Sequence, residues 1–326
     1  MKYMKGNGQF FLFLLFLCSF MLPVSSGAAP ETFVKTVKNG YAVYHSPGKP
    51  GAGQALVVAL KSVAGDKLKN EAHLLSMTFF KREFQLEAVA GGWRGIVAVP
   101  LGTDAGTYDL VIKSQTEVAL VLPVAVSDRD YGEQRLTVKR EMATPMRPEN
   151  LAKIKRDRHN LKIAYGASES HLLLDNKLRK PLDSRLTSPF GTRRLLNGKP
   201  KSPHGGVDFK AAIGIPVPAA ASGQVVLAEA LYYSGSIVII DHGLSIFSLY
   251  MHLSEIDCRV GEMVNTGQII GKSGKSGRVT GPHLHWGVKI AGVFVDPLRF
   301  IDDSKHLLTI PWNAENGEVE NGKSKL

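Results

Sequence analysis

Gly281-Pro282-His283-Leu284-His285-Trp286 reads as a turn running into a β-strand, with Val288 continuing its apolar neighbours. Side chains two apart on a strand leave the same face. His283 and His285 therefore aim two imidazoles at one spot, while Leu284 and Trp286 turn the other way. Two imidazoles so placed suit a metal, or a metal plus a proton carrier, better than a packed core. Two more clusters lie upstream, His204-Gly205-Gly206-Val207-Asp208 and Ser248-Leu249-Tyr250-Met251-His252-Leu253-Ser254. Four histidines and one aspartate, spread over about eighty residues, form the candidate site.

Around these clusters the chain from Leu186 to Phe300 is rich in glycine and in strand patterns. Gly223–Ala228, Ser236–Asp241, Leu244–Tyr250 and Pro282–Lys289 are its strongest strand candidates. This region, 187–312, is expected to be one antiparallel β domain, followed by a polar, disordered tail at 313–326. Upstream, 129–186 changes character. After a possible last strand at Arg135–Val138, Leu151, Ile154, Leu161 and Ala164 partly follow helical spacing, with Lys153, Lys155, Arg156, Arg158 and Lys162 on the other faces. Pro148 near the start and Gly166 just past the end frame a basic linker helix whose charge is read as solvation.

Residues 29–128 show short apolar runs, such as Leu56–Leu60, Gly95–Pro100, Gly106–Ile112 and Val118–Leu122, between turn formers. That spacing predicts an accessory, Ig-like β-sandwich. Its histidines, His45 and His73, stand alone and carry no chemistry. At the amino terminus Lys2 and Lys5 precede an apolar run of about thirteen residues, Phe10–Leu22, then Ser25, Ser26, Gly27, Ala28 and Ala29. The run is short of the roughly 20 residues a spanning helix needs, so 1–28 is expected to be a secretory signal peptide. Of the 2 cysteines, Cys18 lies in that leader and leaves Cys258 alone, without an internal disulfide. The formal charge of +11 stays strongly positive without Lys2 and Lys5 and favours anionic polymers. In an exported protein nucleic acid is not the expected partner, and membrane contact is expected only through the leader if it stays uncleaved.

A catalytic zinc site commonly has three protein ligands from His and Asp/Glu, and keeps a position open for water. His204 and Asp208 are four apart with two glycines between them, so the backbone can fold tightly and bring both to one ion. One histidine of the His283/His285 pair completes a His₂Asp set. His252 and the other member of the pair are left for proton transfer and oxyanion stabilisation. No histidine here is followed by glutamate, which excludes an HExxH glutamate base. Gly267–Ser273 has three residues between its glycines where a phosphate loop needs four. In Asp241-His242-Gly243 the neighbours mark a turn, so His242 is read as structural, and Tyr250 as packing. Arg193 is a weaker candidate for holding a substrate carboxylate.

Five segments taken in order resemble the lysostaphin/LytM-type zinc metallopeptidases of peptidase family 23. They are Ser188-Pro189-Phe190-Gly191-Thr192-Arg193, the His204/Asp208 pair, Ile239–Gly243, Tyr250–Ser254 and Gly277–Trp286. The resemblance covers about 186–300. It implies an antiparallel β fold of the duplicated hybrid motif type and one Zn²⁺ per domain. It also implies His204, Asp208 and His285 as ligands, with His252 and His283 in catalytic roles. The resulting expectation is an exported endopeptidase, periplasmic or extracellular in the cell envelope, that cuts peptidoglycan stem peptides or cross-bridges, with a zinc-bound water as nucleophile. The alternatives are a non-catalytic LytM-like wall-binding or hydrolase-activating protein, and a metallopeptidase acting on proteins.

Overall fold

The computed structural model describes residues 33–38, 41–46, 48–62, 75–113, 118–136, 148–166, 168–200 and 202–310. The leader expected at 1–28 and the tail expected at 313–326 lie outside the described residues, as does His73. The structure is mainly β and its large sheets are antiparallel, as expected.

Eight strands build the amino-terminal unit: β1 (Val34–Lys38), β2 (Tyr41–His45), β3 (Ala55–Ser62), β4 (Ser76–Phe79), β5 (Arg82–Val89), β6 (Gly92–Ala98), β7 (Gly106–Lys113) and β8 (Val118–Val126). Their order is β1-β2-β3-β6-β5-β4-β7-β8. β5 changes partner midway: Arg82–Gln85 pair with β4, and Leu86–Val89 with β6. Such a strand serves as a corner between two sections of a sheet. Val57, Leu60, Met77, Ile96, Leu110 and Ile112 are buried inside, each worth about 1.5–3 kcal/mol in removal from water. Gly95 permits close approach, because a Cβ there would stand 2.6 Å from both the Gln85 carbonyl oxygen and the Met77 methyl.

β9 (Glu133–Leu136) does not extend this unit. It pairs in parallel with β11 (Arg193–Leu196), which also pairs with β12 (Lys199–Pro200). The strand suspected at Arg135–Val138 thus starts two residues earlier and belongs beside the site region. Between β9 and β11 lie helix α1 (Pro148–Gly166) and β10 (Leu186–Ser188). The remaining strands are β13 (Val207–Lys210), β14 (Pro216–Pro218), β15 (Gly223–Leu231), β16 (Gly235–Asp241), β17 (Ile246–Leu253), β18 (Glu255–Ile256), β19 (Met263–Val264), β20 (Ile269–Lys272), β21 (His283–Ile290) and β22 (Val293–Val295). Helix α2 (Pro297–Leu308) closes the described chain. The main sheet runs β10-β13-β21-β17-β16-β15-β19, with β22 on β21, and β14-β20-β18 form a small second sheet.

Alternation along these strands gives the main sheet two different faces. On one, Trp286, Val288 and Tyr250 join Phe300 and Leu307 of α2 and the amino-terminal strands in one continuous core. On the other, Leu227, Ile237, Ile239, Phe247 and Leu249 pack against Ala164 and Tyr165 of α1. α1 is not merely solvated. Asp157 is buried and accepts from the Tyr232 amide at 2.6 Å, and Asn160 donates to Glu229 at 2.7 Å. Its basic side chains at 153, 155, 156, 158 and 162 face outward, as read from the sequence. α2 was not foreseen, although Asp296-Pro297 is a legible start: the Asp296 carboxylate accepts from the Leu298 amide and Pro297 follows it.

Candidate metal centre

Asp208 on β13 and His285 on β21 are directly opposite each other across an antiparallel pair, and their side chains rise from the face that α1 also covers. Asp208 Oδ1 lies 2.8 Å from His285 Nδ1. His204 enters from the segment before β13, with Nε2 2.9 Å from Asp208 Oδ1 and 3.0 Å from His285 Nδ1. One ligating atom from each of the three falls within 4.8 Å of the others, and all three residues are buried. Gly206 makes the approach possible: a Cβ there would sit 2.4 Å from the Trp286 carbonyl oxygen and 2.8 Å from His285 Nε2.

The donor set fits a cation on chemical grounds. His204 Nδ1 lies 2.8 Å from the Pro189 carbonyl oxygen, which can only accept, so Nδ1 carries the proton and donates. In the neutral ring Nε2 is then a bare lone pair facing a carboxylate oxygen. Two acceptors at that distance repel unless a positive charge stands between them. Two imidazole nitrogens and one carboxylate oxygen are the ligand types zinc takes, and a carbonyl holding the far nitrogen of a ligand ring is the usual outer support. Burial alone would raise the Asp208 carboxyl, but its contacts to His204 and His285 outweigh that and hold it below the usual carboxylate range. Burial lowers His285.

His283 and His252 stand beside this triad. His283 Nδ1 donates to the Gly281 carbonyl at 2.9 Å, and its Nε2 is 3.8 Å from Asp208 Oδ1. The His252 ring lies 4.8 Å from that of His283, centroid to centroid. Its Nδ1 donates to the Ser276 carbonyl at 3.0 Å and its amide to the Ser234 carbonyl at 3.0 Å. His252 has φ +66°, a left-handed conformation that costs a non-glycine residue roughly 1–3 kcal/mol. Burial, then the neighbouring His283 and His285, push His252 down to about 4, so it is neutral at pH 7. The loop carrying Ser276 is locked to the β15–β16 hairpin, for a Cβ at Gly277 would fall 2.3 Å from the Gly235 nitrogen.

The other candidates fall elsewhere. His242 is on the far side of the sheet, buried, with Nδ1 donating to the Ser222 carbonyl at 2.7 Å and Nε2 2.8 Å from Ser248 Oγ. Tyr250 is buried with it and accepts from the Ala220 amide at 2.7 Å. Arg193 is exposed and lies 3.9 Å from Asp130. Of the histidines that were not candidates, His45 ends β2 with its Nδ1 2.9 Å from the Ser46 carbonyl, and His171 is exposed near Glu169. The carbonyls of Pro189, Ser276 and Gly281, which set the ring orientations, were invisible in the residue pattern because every residue type carries one.

Comparison with known proteins bears on this geometry. The sequence profile of Peptidase family M23 matches residues 202–297, which include all five site residues. Peptidoglycan DD-endopeptidase ShyA of Vibrio cholerae is 43% identical over 37% of this chain and 29% of its own length. DD-carboxypeptidase/endopeptidase Mpg of Neisseria meningitidis is 37% identical over 35% of this chain and 26% of its own length. The chain thus spans less than a third of these curated relatives. A solved Pseudomonas aeruginosa structure assigned to peptidase M23 aligns with a TM-score of 0.60 at 29% identity, covering 79% of this chain and 96% of that one. Residues 202–297, which carry the triad and both neighbouring histidines, are thus a domain of peptidase family M23.

Proposed function

We propose that this chain is an exported zinc-dependent endopeptidase that hydrolyses amide bonds in peptidoglycan stem peptides or cross-bridges, working in the periplasm or elsewhere in the cell envelope. The observation that carries the reading is the convergence of His204 Nε2, Asp208 Oδ1 and His285 Nδ1 beside two further imidazoles. Those three atoms would hold one zinc ion. Bound there, zinc supplies Lewis acidity, lowering the pKa of a water and polarising the scissile carbonyl.

The rest of the chemistry falls to the protein. With Nδ1 tied to backbone carbonyls, His252 and His283 keep Nε2 for exchange with substrate. Between them they carry the proton from the attacking water to the leaving amine and steady the oxyanion, work worth about 10²–10⁴ in rate. The DD-endopeptidase names of the Vibrio relatives support a bond between D-configured centres, and the +11 formal charge draws the chain to an anionic wall.

The deciding experiment is mass spectrometry of the fragments released from purified sacculi, with a protein panel digested in parallel. Cross-linked fragments converted to monomers, with loss of the activity on chelation, are expected. Cleaved proteins with intact sacculi would favour a protein-directed peptidase instead. A zinc-loaded chain that binds sacculi and cuts nothing would leave only a binding role.

A further inference from the structure

The carbonyl that orients His204 belongs to a turn gripped from two sides. On the site side, residues 189–192 hold His204 at three atoms. The Pro189 carbonyl accepts from Nδ1 at 2.8 Å, the Thr192 carbonyl accepts from the His204 amide at 3.1 Å, and the Gly191 amide donates to the His204 carbonyl at 2.8 Å. On the other side the same turn is clamped by the amino-terminal unit. The Phe190 ring is buried, and meets Tyr131 edge-on with centroids 5.4 Å apart. Tyr131 donates its hydroxyl to the Ala52 carbonyl at 2.7 Å, in the turn before β3. There is no slack at either contact. A Cβ at Gly53 would fall 2.5 Å from the Phe190 ring, and one at Gly191 2.3 Å from the Tyr131 ring. Both glycines have positive φ, +74° and +75°.

We propose that Tyr131, acting through Phe190, is a positioning residue for the metal ligand His204, so that the amino-terminal β unit helps to set the affinity of the metal centre. Removing the Tyr131 ring frees Phe190 and lets the 189–192 turn shift. The Pro189 carbonyl then no longer fixes the His204 ring. Outer supports of this kind typically govern about 10–100-fold in metal affinity. The inference rests on the triad reading but reaches beyond it, since nothing in the ligand chemistry itself calls for a second β unit.

The test uses the full chain. Zinc affinity is measured by competition with a chelating indicator, the cobalt-substituted protein is examined by absorption, and thermal unfolding is followed without metal. Tyr131→Ala is expected to weaken zinc binding about tenfold or more and to alter the cobalt spectrum. Tyr131→Phe keeps the ring and should restore most of the affinity. Ile112→Ala, in the core of the same unit away from the turn, should lower the unfolding temperature and leave zinc affinity unchanged. Wild-type affinity and spectrum in Tyr131→Ala would overturn the proposal, as would an equal loss in Ile112→Ala.

Coupling between sites is reciprocal, so the unmutated chain supplies a measurement independent of how the variants fold. Adding zinc should slow amide exchange at Gly53, which donates to the Val99 carbonyl, and at Arg193, which donates to Gly132. Exchange at both unaffected by zinc overturns the proposal. A wild type that takes up no zinc overturns the triad reading itself, whereas one that binds zinc with both amides unmoved overturns only the role of Tyr131.

Discussion

Strands β1–β8 and strands β13–β21 share antiparallel pairing and dense apolar packing, yet they bury different things. In the amino-terminal unit Ser46 is the one polar residue buried among the described residues, and it accepts from the Val57 amide at 3.1 Å. The carboxy-terminal unit buries His204, Asp208, His252 and His285 around the site, and His242 and Ser248 toward the other face of its sheet. Burying such groups is unfavourable unless each is hydrogen-bonded, paired or bound to a metal. The difference separates the two roles. A unit that needs only to fold has no reason to keep buried imidazoles, whereas one that gathers four around a carboxylate has the donor set for a cation and for protons. His242 shows that burial alone does not make a functional histidine: its two ring nitrogens have partners inside the protein, and no carboxylate is among them.

The largest effects should come from the triad. His204→Ala, Asp208→Ala and His285→Ala are expected to emerge without zinc and with turnover reduced by on the order of 10³ or more, exceeding the ~10–100-fold cost of losing an outer support. Metal analysis beside a sacculus assay checks this. Next, His252→Ala and His283→Ala should keep near-stoichiometric zinc while turnover falls about 10²–10⁴-fold. If His283→Ala came out empty and His285→Ala full, the division between ligand and proton carrier would be reversed.

A smaller effect tests the buried histidine of the other face. Burial pushes His242 from 6.5 down to about 4, so the folded state prefers the neutral ring. That contribution is fully present above pH 6.5 and drains away as the pH falls towards 4, on the order of 3 kcal/mol in all. Urea unfolding at pH 7 and pH 4.5 should therefore show a smaller acid-induced loss in His242→Asn than in the wild type. Equal losses would sink that account. The smallest change is expected at Arg193→Ala, an exposed side chain loosely facing Asp130, where turnover and stability should stay within about 0.5 kcal/mol of wild type.

The site was legible in the sequence because its spacing has few physical explanations. His283 and His285 had to share a face, and two glycines after His204 had to serve a close approach, which the contact of Gly206 with β21 explains. β3, β7, β16, β17 and β21 were visible as apolar runs. β4 and β5 were not, because the alternation of Ser76–Phe79 is only one short strand long and Arg82–Val89 carries charged residues on a half-exposed strand instead of an apolar run. The partner of β9 was not legible, since β11 lies far along the chain and a lone strand carries no address. The burial of Asp157 was likewise hidden, because in the sequence it is one more charge among the lysines and arginines of α1.

The face-to-face placement of Asp208 and His285 has a mechanical consequence. Sliding β13 by a single residue along β21 would bring Val207 or Phe209 opposite His285 and turn the carboxylate to the reverse side. An ion gripped by both side chains would thus act as a rivet through two adjoining ribbons, and it could seat only when they are aligned. Beyond β13 only the three-residue β10 continues the main sheet, so this seam runs along its margin. Loading the ion and aligning the margin of the sheet become one event.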